Sequence, residues 1–316
     1  MKKLIFLVLP LLFLAGCFSS TVLDQPKSES QSDGDDFFNL ANDLINRNQV
    51  GPALISLEEA YNSYALLDDV SGKTKVLLKK ANIFAATGEV AKGDSILSAE
   101  FLLLPGRADT INYLNSLTEF YYVSERYDSV LTIAKKFNTY YTSHPTALIA
   151  IAYLTLAKFA LKTNYEMELS DLNRTFVALD RDQRYPADQL AFAFYTRAYI
   201  ALSEGNTKDA EFWGRKAYDE DLYNEDYLAI AYDLELLAEI AEGKNDLHAA
   251  AGFYKRASDS YFALGIGDES IHCEAKSLIL RIKTKGDNSF LKNRLKHLKE
   301  KITDPLLRNE IEAAVN

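Results

Sequence analysis

Residues 194–217 read FYTRAYIALSEGNTKDAEFWGRKA and residues 234–257 read LELLAEIAEGKNDLHAAAGFYKRA, and these two stretches decide the fold class. Placed one above the other, they carry alanine at the same three positions, namely Ala198, Ala210 and Ala217 in the first and Ala238, Ala250 and Ala257 in the second. Large apolar residues recur around the alanines every three or four positions, which is the spacing of one face of an α-helix. Each stretch therefore predicts two helices that form a hairpin and approach each other closely at the alanines.

The same frame recurs along most of the chain, from residue 37 to about residue 260. Its anchoring small residues lie 37 to 41 positions apart and are Ala41, Ala81, Thr118, Ala157, Ala198 and Ala238. The fourth copy is poorer, because its second helix does not keep the frame. Each hairpin leaves an apolar face that only the next hairpin can cover, so the hairpins must stack. The sequence predicts an all-α fold in which six hairpins form an α-solenoid over residues 37–282.

This pattern resembles the tetratricopeptide repeat, in which W-x2-L-G-x2-Y, then A-x3-F, and then P recur at a fixed period. Two departures stand out. The tryptophan position is occupied by Phe37, Leu77, Leu114, Tyr153, Phe194 and Leu234. The period is also longer than the family's 34 residues, so longer helices or connections must absorb the difference. The resemblance implies a superhelix whose concave face is lined by the first helix of each hairpin.

The C-terminal region after the sixth hairpin predicts capping helices. Residues 268–283 read as one more helix, and residues 287–316 read as basic amphipathic helices that close the solenoid, since a terminal unit needs a polar outer face. Eight basic residues cluster there, namely Arg281, Lys283, Lys285, Lys292, Arg294, Lys296, Lys299 and Lys301. They form either a solvated face of a terminal helix or a contact for the phosphates of a lipid or glycan.

The N-terminus predicts a membrane anchor. Residues 1–16 have two lysines followed by an apolar run that is too short to span a bilayer, which is the layout of a signal peptide. The run ends in Leu14-Ala15-Gly16-Cys17, which resembles the bacterial lipobox. The resemblance implies that Cys17 is lipidated after cleavage. In lipoproteins of this kind an aspartate after the cysteine favours the inner membrane, and Phe18 stands there instead, which implies the outer membrane.

The segment from Cys17 to Asp36 predicts an unstructured tether. It is rich in Ser, Gln, Asp and Gly and lacks periodic apolar residues, so it cannot bury enough surface to offset its ordering entropy. The whole chain carries a net charge of −10, which becomes −12 when Lys2 and Lys3 leave with the signal peptide. An acidic body argues against nucleic acid as a partner, because that affinity comes mainly from Lys and Arg.

Residues typical of catalysis or metal binding are scattered in this sequence. The four histidines, His144, His248, His272 and His297, each lack a second ligand at metal-binding spacing. His272 and Cys273 are neighbours on a predicted helix, so their side chains point about 100° apart and do not form a nucleophile–base pair. The chain also lacks a glycine-rich phosphate loop. We therefore expect a protein that is not an enzyme and has neither a metal nor another cofactor.

The candidate binding residues follow from the repeat frame. The position after each small residue points away from the hairpin partner, and these positions are Asn42, Asn82, Glu119, Lys158, Tyr199 and Glu239. Flanking positions on the same face are Asn39, Asn46, Asn115, Tyr122, Tyr195 and Tyr232. From these we select Asn42, Asn82, Asn115, Tyr122, Tyr195 and Tyr199, because amides can bond to a peptide backbone and tyrosines offer contact area at low entropy cost.

The sequence thus predicts a non-catalytic envelope scaffold, anchored in the membrane through Cys17, that binds a protein or peptide of the cell envelope on its concave face. The alternative is a glycan- or nutrient-binding outer-membrane lipoprotein. Exposed paired aromatic residues in one cleft would favour a glycan, whereas an asparagine-lined groove would favour a peptide. A third interpretation is that the selected residues are ordinary exposed polar residues that bind no ligand.

Overall fold

A computed structural model describes residues 28–99, 107–141, 147–182, 187–285 and 288–315. All the regular secondary structure in these ranges is helical, which confirms the predicted all-α class. The helices are α1 (Glu29–Asn46), α2 (Val50–Leu66), α3 (Val70–Ala86), α4 (Val90–Ala99), α5 (Arg107–Val123), α6 (Tyr127–Tyr141), α7 (Ala147–Ala160), α8 (Glu166–Asp182), α9 (Ala187–Ser203), α10 (Thr207–Asn224), α11 (Tyr227–Gly243), α12 (Leu247–Ala263), α13 (Gly267–Lys285), α14 (Ser289–Lys299) and α15 (Pro305–Val315).

One turn geometry joins most of these helices. Seven connections are three residues long, and the middle residue of each has a left-handed backbone conformation: Asn48, Asp68, Gly88, Glu125, Gly205, Asn245 and Gly265. The N–H after that residue bonds back to a carbonyl in the last helical turn, as in Gln49 N–H to Leu44 O at 2.7 Å. This is the Schellman ending of a helix, in which a left-handed residue satisfies carbonyls that would otherwise be orphaned. The same three-residue turn therefore recurs between seven pairs of successive helices.

Side-chain caps start many of the helices. Asp69, Asn206, Asp226 and Asp246 each accept a hydrogen bond from the backbone N–H three residues later. Such a cap satisfies one of the free N–H groups of the first turn and stabilises a helix by about 1 kcal/mol. Together with the left-handed turns, the caps satisfy backbone groups at the ends of these helices.

Small residues lie where the helices pack most closely. Ala198, Ala201 and Ala210 are fully buried in one cluster together with Ile240, and Ala238 and Ala250 are fully buried in the next. In α4, a Cβ added to Gly93 would lie 2.4 Å from the Phe120 ring. The positions that define the repeat frame are therefore the positions of closest approach, as their small size requires.

The N-terminal boundary of the folded region differs from the prediction. The sequence predicts an unstructured tether through Asp36, whereas α1 begins at Glu29 with Ser28 as its cap. Gly34 is buried close to the ring of Tyr64, and Asp35 accepts hydrogen bonds from the Tyr64 hydroxyl at 2.5 Å and from Lys75 at 2.8 Å. Because of these contacts, residues 29–36, which have few apolar side chains, are part of helix α1. Cys17 and the predicted signal peptide lie outside the described residues.

The turn between α1 and α2 contacts residues far along the chain. The guanidinium of Arg47, after α1, lies 5.6 Å from the ring centre of Tyr227 at the start of α11. Asn48 Nδ2 donates to the carbonyl oxygen of Leu264 at 3.2 Å. The first pair of helices therefore touches the turns that flank α11 and α12.

The C-terminal helices α14 and α15 pack on α13. Their shared core contains Leu295, Leu298, Ile302, Leu307 and Ile311, all buried. Three of the basic side chains of this region form ion pairs within it: Arg294 with Glu274, Lys276 with Glu310, and Lys299 with Glu312. None of the described helices is long and apolar enough to cross a membrane.

Candidate binding face

Five odd-numbered helices pack on one another in series. Helix α3 packs on α5, α5 on α7, α7 on α9, and α9 on α11, so every second helix meets the next in series. Within the described ranges, the even-numbered helices pack mainly on their neighbours along the chain and do not form such a series. We call the surface carried by α3, α5, α7, α9 and α11 the inner face.

Tyrosines dominate the middle of the inner face. The rings of Tyr195 and Tyr199 stack on α9 with centroids 6.5 Å apart and planes 7° from parallel. Burial, followed by the nearby hydroxyl groups of Tyr127 and Tyr199, raises the pKa of Tyr122, on α5, to about 12. Tyr199 keeps 36% of its surface exposed. The structure thus brings together the three tyrosines that the sequence selects.

Further aromatic residues support these tyrosines from α7 and α9. Tyr153 lies 5.2 Å from Tyr122 and 4.5 Å from Phe192, measured between ring centroids. Phe159 meets Tyr199 edge-on at 5.8 Å. In the sequence, Tyr153 occupies the tryptophan position of the repeat. In the structure its ring continues the row of aromatic residues, since it lies close to Tyr122 of α5 and Phe192 of α9.

The asparagines lie deeper than a groove lining would. Asn82 is 7% exposed and Asn115 is 9% exposed, because α3 packs directly on α5. The Nδ2 of Asn82 donates to Glu119 Oε2 at 2.6 Å. Asn42 is half-buried on α1, which packs on α2 and does not belong to the series of helices that carries the tyrosines. The selected asparagines therefore do not form a row on the surface.

Carboxyl groups lie close to the tyrosines of the inner face. Glu119 is half-buried, and burial raises its pKa even though Lys79 lies near. On α11, Glu235 accepts a hydrogen bond from the Tyr261 hydroxyl at 2.8 Å. Burial and the nearby carboxyl groups of Asp233, Glu239 and Glu235 raise the pKa of Tyr195. The face therefore combines hydrogen-bond acceptors with aromatic rings.

The other residues singled out in the sequence, Cys273 and Lys158, have little chemical reactivity in this structure. Burial and the carboxyl group of Glu235 raise the pKa of the Cys273 thiol, so this cysteine stays protonated and is a poor nucleophile. Lys158 is paired with the buried Glu168 of α8 at 2.6 Å. In the part of the chain that the structure describes, no three His, Cys, Asp or Glu side chains are grouped to hold a metal ion.

Comparisons with known proteins were made for the whole chain. No protein-family model matches it, and no curated protein matches it either.

Proposed function

We propose that this chain is a lipid-anchored scaffold of the cell envelope that binds a protein or peptide partner on the inner face of a tetratricopeptide-like α-solenoid. The observation that carries the binding role is the group formed by Tyr122, Tyr195 and Tyr199. It joins α5 to α9 through the rings of Tyr153 and Phe159 on α7, and it leaves Tyr199 partly open to solvent. Aromatic anchors of this kind supply much of the energy of protein interfaces.

The proposed architecture consists of six hairpins, which are α1–α2, α3–α4, α5–α6, α7–α8, α9–α10 and α11–α12. The repeated left-handed turns and the series of odd-numbered helices support it. The contact of Arg47 with Tyr227 supports a tightly wound superhelix that completes about one turn. A partner would then enter a narrow space, which favours an extended segment over a globular surface.

The proposed anchor rests on Leu14-Ala15-Gly16-Cys17 and on the apolar run before it. Several acyl chains on Cys17 would hold the protein at the membrane, because each buried CH₂ contributes about 0.8 kcal/mol. The outer membrane is proposed because Phe18, not aspartate, follows the cysteine. The described helices would then stand in the compartment next to that membrane.

A glycan is the second candidate ligand, and one observation favours it. Tyr195 and Tyr199 are paired and nearly parallel, and carboxylates lie close to them. Flat aromatic faces next to hydrogen-bond acceptors suit a sugar ring as well as a peptide. We favour the peptide because the proposed superhelix is narrow and because Tyr195 is only half exposed.

The test of the proposed function replaces Tyr195 and Tyr199 together with alanine. The full chain, affinity-tagged at its C-terminus, is purified from detergent-solubilised membranes, and the partners that co-purify are quantified. We expect the double variant to lose its partner at least tenfold relative to the parent, with unchanged helicity, because the interface would lose both anchor rings.

The matched control reverses three charges on the terminal helix α14, in the variant Lys292→Glu, Arg294→Glu and Lys296→Glu. It should retain the partner. If the control loses the partner and the tyrosine variant keeps it, the binding surface is the basic cap and the proposal for the inner face is wrong.

A further inference from the structure

The helices form a closed circuit of contacts. Helix α2 packs on α3, and the series α3, α5, α7, α9 and α11 follows. Helix α11 then contacts α1, which packs on α2 and so completes the circuit. In the proposed superhelix the inner face lies inside this circuit. The weakest contact of the circuit therefore decides how a partner would reach that face.

Buried apolar side chains hold five of these contacts together. In each of the five, a single cluster contains buried residues of both helices: Leu57 and Val76 for α2 and α3, Ala81 and Phe120 for α3 and α5, Ile111 and Ala150 for α5 and α7, Leu148 and Ala193 for α7 and α9, and Ala198 and Ile240 for α9 and α11. Among the described residues, none of the buried apolar clusters includes side chains of both α1 and α11. Because burial of apolar surface is the main favourable term in packing, the contact of α1 with α11 is the weakest of the circuit.

Polar side chains close the circuit instead. The guanidinium of Arg47 lies 5.6 Å from the ring centre of Tyr227, and Asn48 Nδ2 donates to the carbonyl oxygen of Leu264 at 3.2 Å. Arg47 and Tyr227 are both exposed, and a cation–π contact at an exposed site is weak. The hydrogen bond of Asn48 replaces one that its amide would make with water. We call Arg47, Asn48, Tyr227 and Leu264 the clasp.

Two open cavities flank the clasp. The larger has a volume of about 400 Å³ and lies between Gln49 on one side and Ala263 and Leu264 on the other. The smaller has a volume of about 250 Å³ and lies between Asn46 of α1 and Asn224 of α10. The two sides therefore meet without filling the space around their contact, whereas a permanent core is close-packed.

We propose that the circuit opens and closes at the clasp, and that the open form admits the partner's segment to the inner face. The inference names the route by which the partner enters, so it rests on the proposed function. Helices α1, α2 and α3 move together, since they share an apolar cluster and the hydrogen bonds of Asp35 with Tyr64 and Lys75. Opening then separates the turn after α1 from α11 and α12 while every helix stays folded.

The first test measures the opening as a distance. Residues Glu59 of α2 and Asp268 of α13, both exposed, are replaced with p-acetylphenylalanine and spin-labelled, and the full chain in detergent is studied by double electron–electron resonance. The clasp variant is Arg47→Gln with Asn48→Gly, in which glycine keeps the left-handed turn. We expect a longer-distance population whose share rises at least threefold in the clasp variant, with unchanged helicity.

The matched control variant is Arg215→Gln with Asn245→Gly. It removes an exposed arginine and the left-handed asparagine of the turn between α11 and α12, both away from the clasp. Its distance distribution should equal that of the parent.

The second test measures access to the inner face. Tyr199→Cys is combined with the parent clasp or with the clasp variant, and the rate of its reaction with a maleimide-bearing polyethylene glycol is followed by gel shift. We expect the clasp variant to react at least threefold faster, because the polymer enters when the circuit is open. Phe212→Cys, on the exposed surface of α10, should react at the same rate with either clasp.

Equal distance distributions for the parent and the clasp variant would overturn the proposal. A longer distance accompanied by loss of helicity would also overturn it, because the clasp would then hold the first helices folded. Equal reaction rates at position 199 would show that opening does not expose the inner face, which is a third contrary result. Neither test uses the partner, so if the variant lacking Tyr195 and Tyr199 still loses its partner, the proposed function stands and only the clasp fails.

Discussion

Replacing Asp233 with asparagine should stabilise the protein at neutral and alkaline pH and flatten the dependence of its stability on pH. Asp233 of α11 is 1% exposed, and it faces Asp221 of α10, which is 5% exposed. Two carboxyl groups that are buried together cannot both ionise readily. Burial, followed by the charge of Asp221, therefore raises the pKa of Asp233 far above that of a free aspartate.

The direction of the pH effect follows from this raised pKa. Between the unfolded pKa of about 3.9 and the raised pKa, the folded chain holds a proton that the unfolded chain releases. The stabilisation associated with that proton is present in full below pH of about 4 and declines as the pH rises. The loss amounts to about 1.4 kcal/mol for each pH unit over that range. Between pH 5 and pH 7 this group alone should cost the parent protein about 3 kcal/mol of unfolding free energy.

The measurement is urea unfolding of the parent and of Asp233→Asn at pH 5, 6, 7 and 8. The asparagine variant should lose much less stability across the series, because it has no carboxyl to titrate. Asp219→Asn, an exposed change two residues before Asp221, is the control and should follow the parent. Parallel profiles for the parent and Asp233→Asn would show that the buried pair does not govern the pH dependence.

Replacing Cys17 with alanine should move the protein from the membrane fraction to the soluble fraction. The variant lacks the sulfur to which a diacylglycerol would be attached. Without acyl chains, the apolar run before residue 17 is too short to span a bilayer, and none of the described helices is long and apolar enough to do so. We expect the parent to sediment with membranes and to incorporate labelled palmitate, and the variant to do neither.

Cys273→Ala is the matched control, since it removes the other cysteine, which is buried in the core. It should remain in the membrane fraction and retain the label. Retention of the Cys17→Ala variant in the membrane with undiminished label would show that the anchor lies elsewhere in the chain.

The helical class followed from local sequence, because small residues must mark the places where helices approach closely. Ala198, Ala210, Ala238 and Ala250 are fully buried, as their regular spacing predicts. The left-handed turns could be foreseen only in part. Glycine marks three of them, but Glu125 adopts the same conformation, and local sequence does not indicate this at a glutamate.

Long-range contacts decided the features that the sequence did not predict. Residues 29–36 are polar, and they join α1 because Tyr64 and Lys75 from later helices bind Asp35. Asn82 and Asn115 are on the expected helices but are buried, because how tightly α3 packs on α5 depends on both helices at once. The pairing of Asp233 with Asp221 joins two helices and has no signature in either one.

Site-specific photo-cross-linking tests the central claim, that the inner face holds the partner, most directly. Benzoylphenylalanine is introduced at Tyr199 on α9 or at Phe212 on α10, two partly exposed aromatic residues on adjacent helices, and at the exposed Phe290 on α14. After irradiation of intact cells, adducts of the tagged chain are resolved by mass. We predict a discrete adduct from position 199 and none from positions 212 and 290. Adducts from position 212 or 290, with none from position 199, would contradict the claim.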